Sequence, residues 1–351
     1  MVRMTSDLLT RSIDALANGQ DLSAEQTAEV LAEIMSGNAS EIQIAAFLIA
    51  LRTKGETVEE LAGLARTMRS FAATVSVARD RLLDTAGTGG GRRTFNVSTT
   101  AALIAAGAGC TVAKHGNRSA TGLSGSADVL EALGARIDLS PAAVARCIEE
   151  VGFGFMFAPA HHQATRYVIP VRRELAVRTI FNFLGPLTNP AGAPRQLIGV
   201  SDAAYLEKMA GALAILGTEH ALLVSSHDGL DELSISAPTR VVEVIGGEIS
   251  SYDVAPADVG LTTAPADAVP GGDPAQNADT ARRIFAGETD PSHPIRAARD
   301  LAVLNAGAAI YAGGGADTLA EGVAAAADAV DSGGAADALE RFVSATQRLG
   351  S

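Results

Sequence analysis

The sequence predicts an α/β protein: a small N-terminal all-helical domain followed by a larger α/β domain with a mainly parallel central sheet. Three observations predict it. Residues 5–73 carry helical periodicity only; from residue 82 onward strand and helix patterns alternate; and the second part opens with a strand, a glycine-rich loop and a helix. A chain of 351 residues is long enough for two such units.

In the first unit, Leu9, Ile13 and Leu16 recur at helical spacing, and Val30, Leu31 and Ile34 form a second stripe. Ile44, Phe47, Leu48 and Leu51 form a third, and Leu61, Leu64 and Met68 a fourth. Three starts carry capping boxes: Ser23 with Gln26, Ser40 with Gln43, and Thr57 with Glu60. Each cap is worth about 1 kcal/mol. Gly37 and Gly55 stand where C-caps belong. Four short helices bury little alone, so their leftover apolar surface is expected against the rest of the chain or another copy.

Residues 74–81 are short-patterned and polar-flanked, as a hinge would be. Strands are then expected over 82–86, 110–114, 153–157, 197–200 and 221–225, and a hairpin over 239–253 turning at Gly246 and Gly247. Helices are expected over 99–108, 127–133, 141–151 and 204–216. Ser126 or Ser124 is available to cap the second, and Ser140 with Pro141 opens the third. Residues 255–275, rich in Pro, Gly, Asp and Ala, read as a surface loop; alanine-rich helices close the chain over 300–311, 318–331 and 335–349. This alternation makes the sheet mainly parallel with an antiparallel end.

A net charge of −13 argues against a broad nucleic-acid surface, although Arg92, Arg93, Lys114, Arg118, Arg166, Arg172, Arg173 and Arg178 gather in the middle third. The two cysteines, Cys110 and Cys147, sit in apolar-periodic surroundings and point to a reducing compartment. No signal peptide and no run of about 20 apolar residues is visible, so a cytoplasmic protein without a membrane partner is expected.

Four stretches carry chemistry. The first runs from Asp84 to Thr99: Gly87, Gly89, Gly90 and Gly91 let backbone N–H groups approach a phosphate, and the following helix N-terminus adds about half a positive charge. The second, from Lys114 to Ser126, leaves a strand and packs one Lys, one Arg, one Asn, one His and four hydroxyls into thirteen residues. Such groups donate to phosphate or ribose oxygens, and strand carboxyl ends are where open α/β sheets bind ligands. The third joins His161, His162 and Arg166 to Arg172 and to the run from Asn182 to Pro190; Arg172 is a candidate carboxylate clamp, and a plain surface arginine pair is the alternative. The adjacent histidines point apart on any regular element, and no third ligand has suitable spacing. The fourth, Asp228-Gly229-Leu230-Asp231-Glu232, follows a strand and reads as Mg²⁺ ligands or as a solvated acidic turn.

Together these stretches resemble the anthranilate phosphoribosyltransferase family. The matching runs are Gly87-Thr88-Gly89-Gly90, Asn96-Val97-Ser98-Thr99, Lys114 to Ser119, Ser124 to Gly134, Val171 to Glu174, Arg178 to Asn182, Leu184 to Pro190 and Asp228 to Glu232, all in the family's order. The resemblance implies transfer of the 5-phosphoribosyl group of phosphoribosyl pyrophosphate to the amine of anthranilate, with Mg²⁺ as cofactor and pyrophosphate released. It implies a helical domain of residues 1–74, joined by about 171–190, and an α/β domain of 79–168 and 192–351. A homodimer through the helical part is implied too. By position, Gly87, Gly90, Gly91, Thr94, Asn96, Val97, Ser98, Thr99, Lys114, His115, Gly116, Asn117, Arg118, Ser119, Ala120, Thr121, Gly122 and Ser126 would hold phosphoribosyl pyrophosphate. Gly87, Asn117, Arg172, His115, Pro159 and His162 would face or line the path of anthranilate. Ser98, Asp231 and Glu232 would bind the metal, and no catalytic nucleophile is expected.

The chain departs from the family at one place: the loop usually reads Gly-Thr-Gly-Gly-Asp-Gly, whereas here Gly90 is followed by Gly91, Arg92, Arg93 and Thr94. A milder departure is Thr121-Gly122, where two serines are common. Two rival readings are a pyrimidine nucleoside phosphorylase of the same fold and a non-catalytic phosphate-binding homologue. A dinucleotide-binding loop is disfavoured, because Arg92 stands at the third glycine position of G-x-G-x-x-G.

Overall fold

The N-terminal helices form where the periodicity puts them: α1 (Asp7–Ala17), α2 (Ala24–Met35), α3 (Glu41–Lys54) and α4 (Val58–Ser70), in a computed structural model that describes residues 7–119, 122–289 and 294–350. Ser23, Ser40 and Thr57 each close a reciprocal capping box. Gly55 ends α3 at φ 89° and Gly37 follows α2 at φ 76°, conformations that L side chains rarely adopt.

The chain continues through β1 (Leu83–Gly87), α5 (Val97–Gly107), β2 (Val112–Gly116), α6 (Ser126–Ala132), α7 (Pro141–Val151) and β3 (Phe153–Phe157). Three short helices follow: α8 (Ala158–His161), α9 (Ile169–Leu175) and α10 (Phe181–Leu184). Next come β4 (Arg195–Gly199), α11 (Leu206–Ile215), β5 (His220–Ser226), β6 (Thr239–Ile245) and β7 (Glu248–Val254). The chain then runs through α12 (Pro274–Phe285), α13 (Ile295–Gly313), α14 (Leu319–Asp331) and α15 (Gly334–Leu349). Among the described residues, no helix is long and apolar enough to cross a membrane.

The seven strands lie in the order β3-β2-β1-β4-β5-β6-β7, the first five mutually parallel and the last two pairing antiparallel. The chain builds outward from β1 through β2 to β3, then returns to lay β4 on the other side of β1. The switch point therefore falls between β1 and β4, where Gly87 is paired with Gly199 at the strands' carboxyl ends.

Side-chain alternation assigns the sheet to two cores. Leu197, Leu222, Val224 and Val241 pack with α5, α6 and α12–α15, whereas Ile198, Ala221, Leu223, Val242 and Val244 join α11 and the N-terminal helices. The helical unit's leftover apolar surface is thus largely spent within the chain. The same core takes in Val168, Val171, Ile180, Phe181, Phe183, Leu184 and Leu187, so the segment after α8 packs with the helical unit.

Several boundaries differ from expectation. The cap of α6 is Gly125, not Ser124 or Ser126; its N–H donates to Asp128, and a Cβ there would meet the Ser119 backbone at 2.3 Å. Helix α5 starts at Val97, two residues early, since Asn96 closes the loop with its side chain engaged elsewhere. Helix α13 starts at Ile295 because Ile295 and Ala298 extend its buried stripe upstream of Asp300. Helix α12 was not expected at all. Its Asp273 cap, with Pro274 at the first helical position, lies in the stretch read as loop. Helices α8, α9 and α10 span two turns or fewer, too short for a periodicity to declare itself.

Candidate active site

Four segments meet at the carboxyl ends of the strands around the switch point: the loops after β1, β2, β4 and β5. The glycine loop leaves β1 with the Thr88 N–H donating to Gly199 O at 2.8 Å, and its turn needs positive φ at Gly89 (66°) and Gly90 (96°). Thr88 Oγ1 and Ser201 Oγ lie 3.1 Å apart, tying the loop to the residue after β4. Further on, the Arg92 N–H donates to Gly229 O at 2.8 Å, and its guanidinium reaches Asp228 Oδ2 at 3.2 Å and the Ala266 carbonyl.

The acidic turn after β5 is pressed against this loop. Backbone N–H groups of Gly91 and Gly89 donate to Asp231. A Cβ at Gly91 would come within 2.3 Å of Asp231 Oδ1 and 2.7 Å of its backbone nitrogen; one at Gly199 would sit 1.8 Å from Asp231 O. Burial raises the Asp231 carboxyl above its ordinary range, against the pull of its own N–H, of Arg178 and of the loop N–H groups. Burial, and then the Asp231 charge beside it, push Glu232 up to about 8, offset by Lys114 and by the Ser98 N–H that donates to it. Two close carboxylates short of positive charge, with Ser98 at hand, are hard oxygen donors suited to Mg²⁺, which takes one or two carboxylates and fills its shell with water and substrate oxygens. The donor set fits that ion.

Behind the loop, Lys114 is fully buried on β2; its ammonium donates to the Thr85 carbonyl and, at 3.1 Å, to Thr85 Oγ1. Desolvation lowers it to about 8, with Asp84 and Glu232 pulling the other way. Asp84, equally buried, accepts from the His115 N–H at 2.9 Å and from Asn189 Nδ2 at 2.8 Å. Asn189 also donates to Ala113 O at 2.8 Å, so β1, β2 and the 185–190 turn are stitched at one point. Burial raises Asp84 to about 6, against Lys114 and these hydrogen bonds.

The His115 and His162 rings stand 5.0 Å apart, hydrogen-bonded to the backbone of Gly185 and Thr188 respectively, while His161 Nδ1 donates to Ala73 O at 2.8 Å. Among the described residues each Nε2 is buried without a partner. Desolvation lowers all three imidazoles, His162 to about 4, so the rings are neutral near pH 7. Arg172, half-buried on α9, lies over the Phe181 ring at 5.5 Å and reaches Asn182 Oδ1 at 3.5 Å.

A family model described as the glycosyl transferase family, helical bundle domain, matches residues 10–72, and one described as the glycosyl transferase family, a/b domain, matches 79–336. An anthranilate phosphoribosyltransferase of Rubrobacter xylanophilus is 52% identical over 343 residues, covering 97% of this chain and 98% of that protein. The chain belongs to the anthranilate phosphoribosyltransferase family. A crystal structure of anthranilate phosphoribosyltransferase from Thermus thermophilus superposes with a TM-score of 0.89 at 45% identity, covering 96% of this chain and 99% of the other. The Saccharomyces cerevisiae enzyme in complex with PRPP and Mg gives 0.88 at 26% identity, covering 99% and 100%.

Of the residues that the family resemblance points to, Gly87, Gly90, Gly91, Ser98, Asp231 and Glu232 converge on the β1–β4 switch point. Val97 and Thr99 form the first turn of α5 beside them, and Thr99 Oγ1 is buried without a partner among the described residues. Thr94 and Asn96 make bonds that frame the loop. Thr94 Oγ1 donates to Phe95 O at 3.1 Å, and Asn96 Oδ1 accepts from Ser124 Oγ at 2.8 Å and Asn277 Nδ2 at 2.9 Å. Gly116 is crowded by Phe155 and Ser126. Asn117 is exposed and accepts the Arg118 N–H, and Ser119 Oγ accepts the Gly122 N–H at 2.6 Å. Arg118 is committed to α6, with Asp128 Oδ1 at 2.7 Å and Glu131 Oε1 at 3.0 Å. Pro159 is exposed on α8. Ala120 and Thr121 lie outside the described residues.

The sequence patterns give no role to two residues that the structure joins. Arg178 lies in a family run yet touches the glycine loop; Ser201 stands directly after a predicted strand, and that position alone marks it. Buried Asp84 carried a signal too, a charge inside a strand.

Proposed function

We propose that the chain transfers the 5-phosphoribosyl group of phosphoribosyl pyrophosphate to the amine of anthranilate and releases pyrophosphate. The observation that carries this reading is the pairing of a glycine cradle with a buried acidic turn, Asp231 and Glu232, across the β1–β4 switch point. Gly87, Gly90, Gly91, the α5 turn from Asn96 to Thr99, and the residues from Lys114 to Gly122 with Ser126 form the donor pocket. The N–H groups of the glycine loop and the α5 N-terminus would face the anionic diphosphate. Asn117 and Arg172 hold anthranilate, the guanidinium matching its carboxylate, and His115, Pro159 and His162 line its path.

The aryl amine attacks C1 as the C1–oxygen bond to pyrophosphate breaks, and the nitrogen gives up one proton. That amine is neutral at pH 7, so the residues supply position and charge rather than a strong base. Neutral His115 and His162 add no further cation to the acceptor path that would repel the developing oxocarbenium. Ser98, Asp231 and Glu232 would hold Mg²⁺, which when bound neutralises the departing pyrophosphate. Buried Lys114 adds fixed positive charge beneath the loop.

The helical unit of residues 1–74, with 171–190, would form one wall of the cleft, and 79–168 with 192–351 the other. A homodimer through the helical unit is supported by Ile42 (82% exposed) and Ile49, seven residues apart on one face of α3. Two free cysteines suit a cytoplasmic enzyme. The test of the reaction is loss of anthranilate fluorescence with phosphoribosyl pyrophosphate and Mg²⁺; unchanged fluorescence at full protein folding refutes it. Light scattering of Ile42→Glu tests the dimer, expected to shift toward half the mass.

A further inference from the structure

We infer that Arg178 is a positioning residue that couples the acceptor half of the site to the glycine loop, so that filling one half tightens the other. This rests on the phosphoribosyl-transfer reading above. Arg178 stands on the exposed stretch between α9 and α10, yet its guanidinium leaves that stretch and donates to Gly89 O at 2.9 Å and Ser201 Oγ at 2.6 Å. It comes so close to Gly90 that a Cβ there would meet Nη2 at 3.0 Å. The loop's positive-φ turn and the residue after β4 are thus pinned by one side chain from outside the α/β sheet.

At its other end the stretch is joined to Arg172. Asn182 Oδ1 accepts the Thr179 N–H at 3.0 Å and faces Arg172 Nη2 at 3.5 Å, so one amide oxygen fixes both the backbone next to Arg178 and the proposed carboxylate clamp. The Arg178 guanidinium also lies over the Phe183 ring at 5.6 Å, and Phe183 stacks on Tyr205 at 3.6 Å and 8°. Tyr205 Oη donates to Glu56 Oε2 at 2.7 Å, which anchors the assembly to the helical unit. A carboxylate arriving at Arg172 pulls on Asn182, and the shift reaches Gly89 through the Thr179 backbone and Arg178. Coupling between two sites is reciprocal, so the donor's arrival orders Arg172 by the same factor.

The test measures the Kd of phosphoribosyl pyrophosphate by titration calorimetry at fixed Mg²⁺, alone and with a saturating benzoate that lacks the amine and cannot react. In the native chain the benzoate is expected to tighten binding about fivefold or more, the lower end of ordinary coupling. In Arg178→Ala the ratio is expected to fall to about one, whereas Arg178→Lys, which keeps the charge but not the fixed planar placement of the nitrogen that holds both Gly89 and Ser201, keeps part of it. A merely structural role would weaken both titrations equally and leave the ratio intact. An unchanged ratio in Arg178→Ala, or a ratio of one in the native chain, overturns the inference. Should Arg178→Ala fail to fold, Ser201→Ala decides: a reduced ratio supports the inference and an unchanged one overturns it. Failure of the underlying reading shows separately, as native protein that does not consume anthranilate.

Discussion

Substituting Gly91 by alanine isolates the fit between the glycine loop and the acidic turn. Gly91 has an ordinary backbone conformation, so alanine costs nothing in φ; the cost lies in the space its Cβ would need. That Cβ would come 2.3 Å from Asp231 Oδ1, which could rotate away, and 2.7 Å from the Asp231 backbone nitrogen, which could not. Either loop or turn must give by several tenths of an ångström, and Asp231 loses its placement against Gly89 and Gly91. Overpacking of this kind costs about 1–3 kcal/mol of stability. A misplacement approaching 1 Å at reacting groups costs about 100-fold in rate, or about 2.7 kcal/mol of barrier. Steady-state kinetics with Mg²⁺ titrated should therefore show kcat/KM down about 100-fold and a raised Mg²⁺ requirement. Gly89→Ala is the control. It sits at φ 66° with nothing within 4 Å, so it should lose about 1–2 kcal/mol of stability through strain and much less activity. Gly91→Ala with near-native activity, or Gly89→Ala equally impaired, would refute the reasoning.

Three further predictions follow from single contacts. Arg172→Ala should raise the KM for anthranilate at least about tenfold, the loss of one charge-assisted pair, and that for phosphoribosyl pyrophosphate by no more than the lost coupling of about fivefold; equal damage to both sinks the clamp. His162 titrates near 4 in the folded chain against 6.5 unfolded, so between those values the unfolded state binds a proton that the native state refuses. Stability should thus fall as pH drops from about 6.5 to 4, by up to about 3 kcal/mol from this residue, and His162→Asn should flatten that limb in urea titrations across the range. Tyr205→Phe keeps the stack on Phe183 but leaves Glu56, already with one unpartnered oxygen among the described residues, without its hydroxyl donor. A loss of about 1–3 kcal/mol is expected, and an unchanged melting temperature would show that Glu56 finds another partner.

What the sequence disclosed and what it withheld divide along physical lines. Most helices with three or more turns and an apolar stripe were legible, as were the N-terminal capping boxes, because both depend on neighbours within four residues. The hairpin turn at Gly246 and Gly247 was legible for the same reason, both now at positive φ. Helix α12 was lost because its buried residues, Ala278, Ala281, Ile284 and Phe285, begin after a loop-like run of Pro, Gly and Asp. The family resemblance tied the acidic turn to Ser98 through a shared metal, but no residue pattern tied it to Gly89 and Gly91.

Their meeting was beyond any local pattern. Asp231 reaches Gly91 only because β4 returns to the far side of β1 and brings β5 with it, a strand order that alternating hydrophobicity leaves open. The same topology shows what stands near the place of the acid that usually follows the Gly89-Gly90 pair. Arg92 fills that region, and its guanidinium holds Asp228 while its N–H holds Gly229, closing the loop onto the acidic turn from one side as Asp231 closes it from the other. The positive group fastens this turn through the Arg92–Asp228 pair at 3.2 Å. The departure that looked like a lost contact in the sequence is, in three dimensions, a second clasp on the same pair of loops.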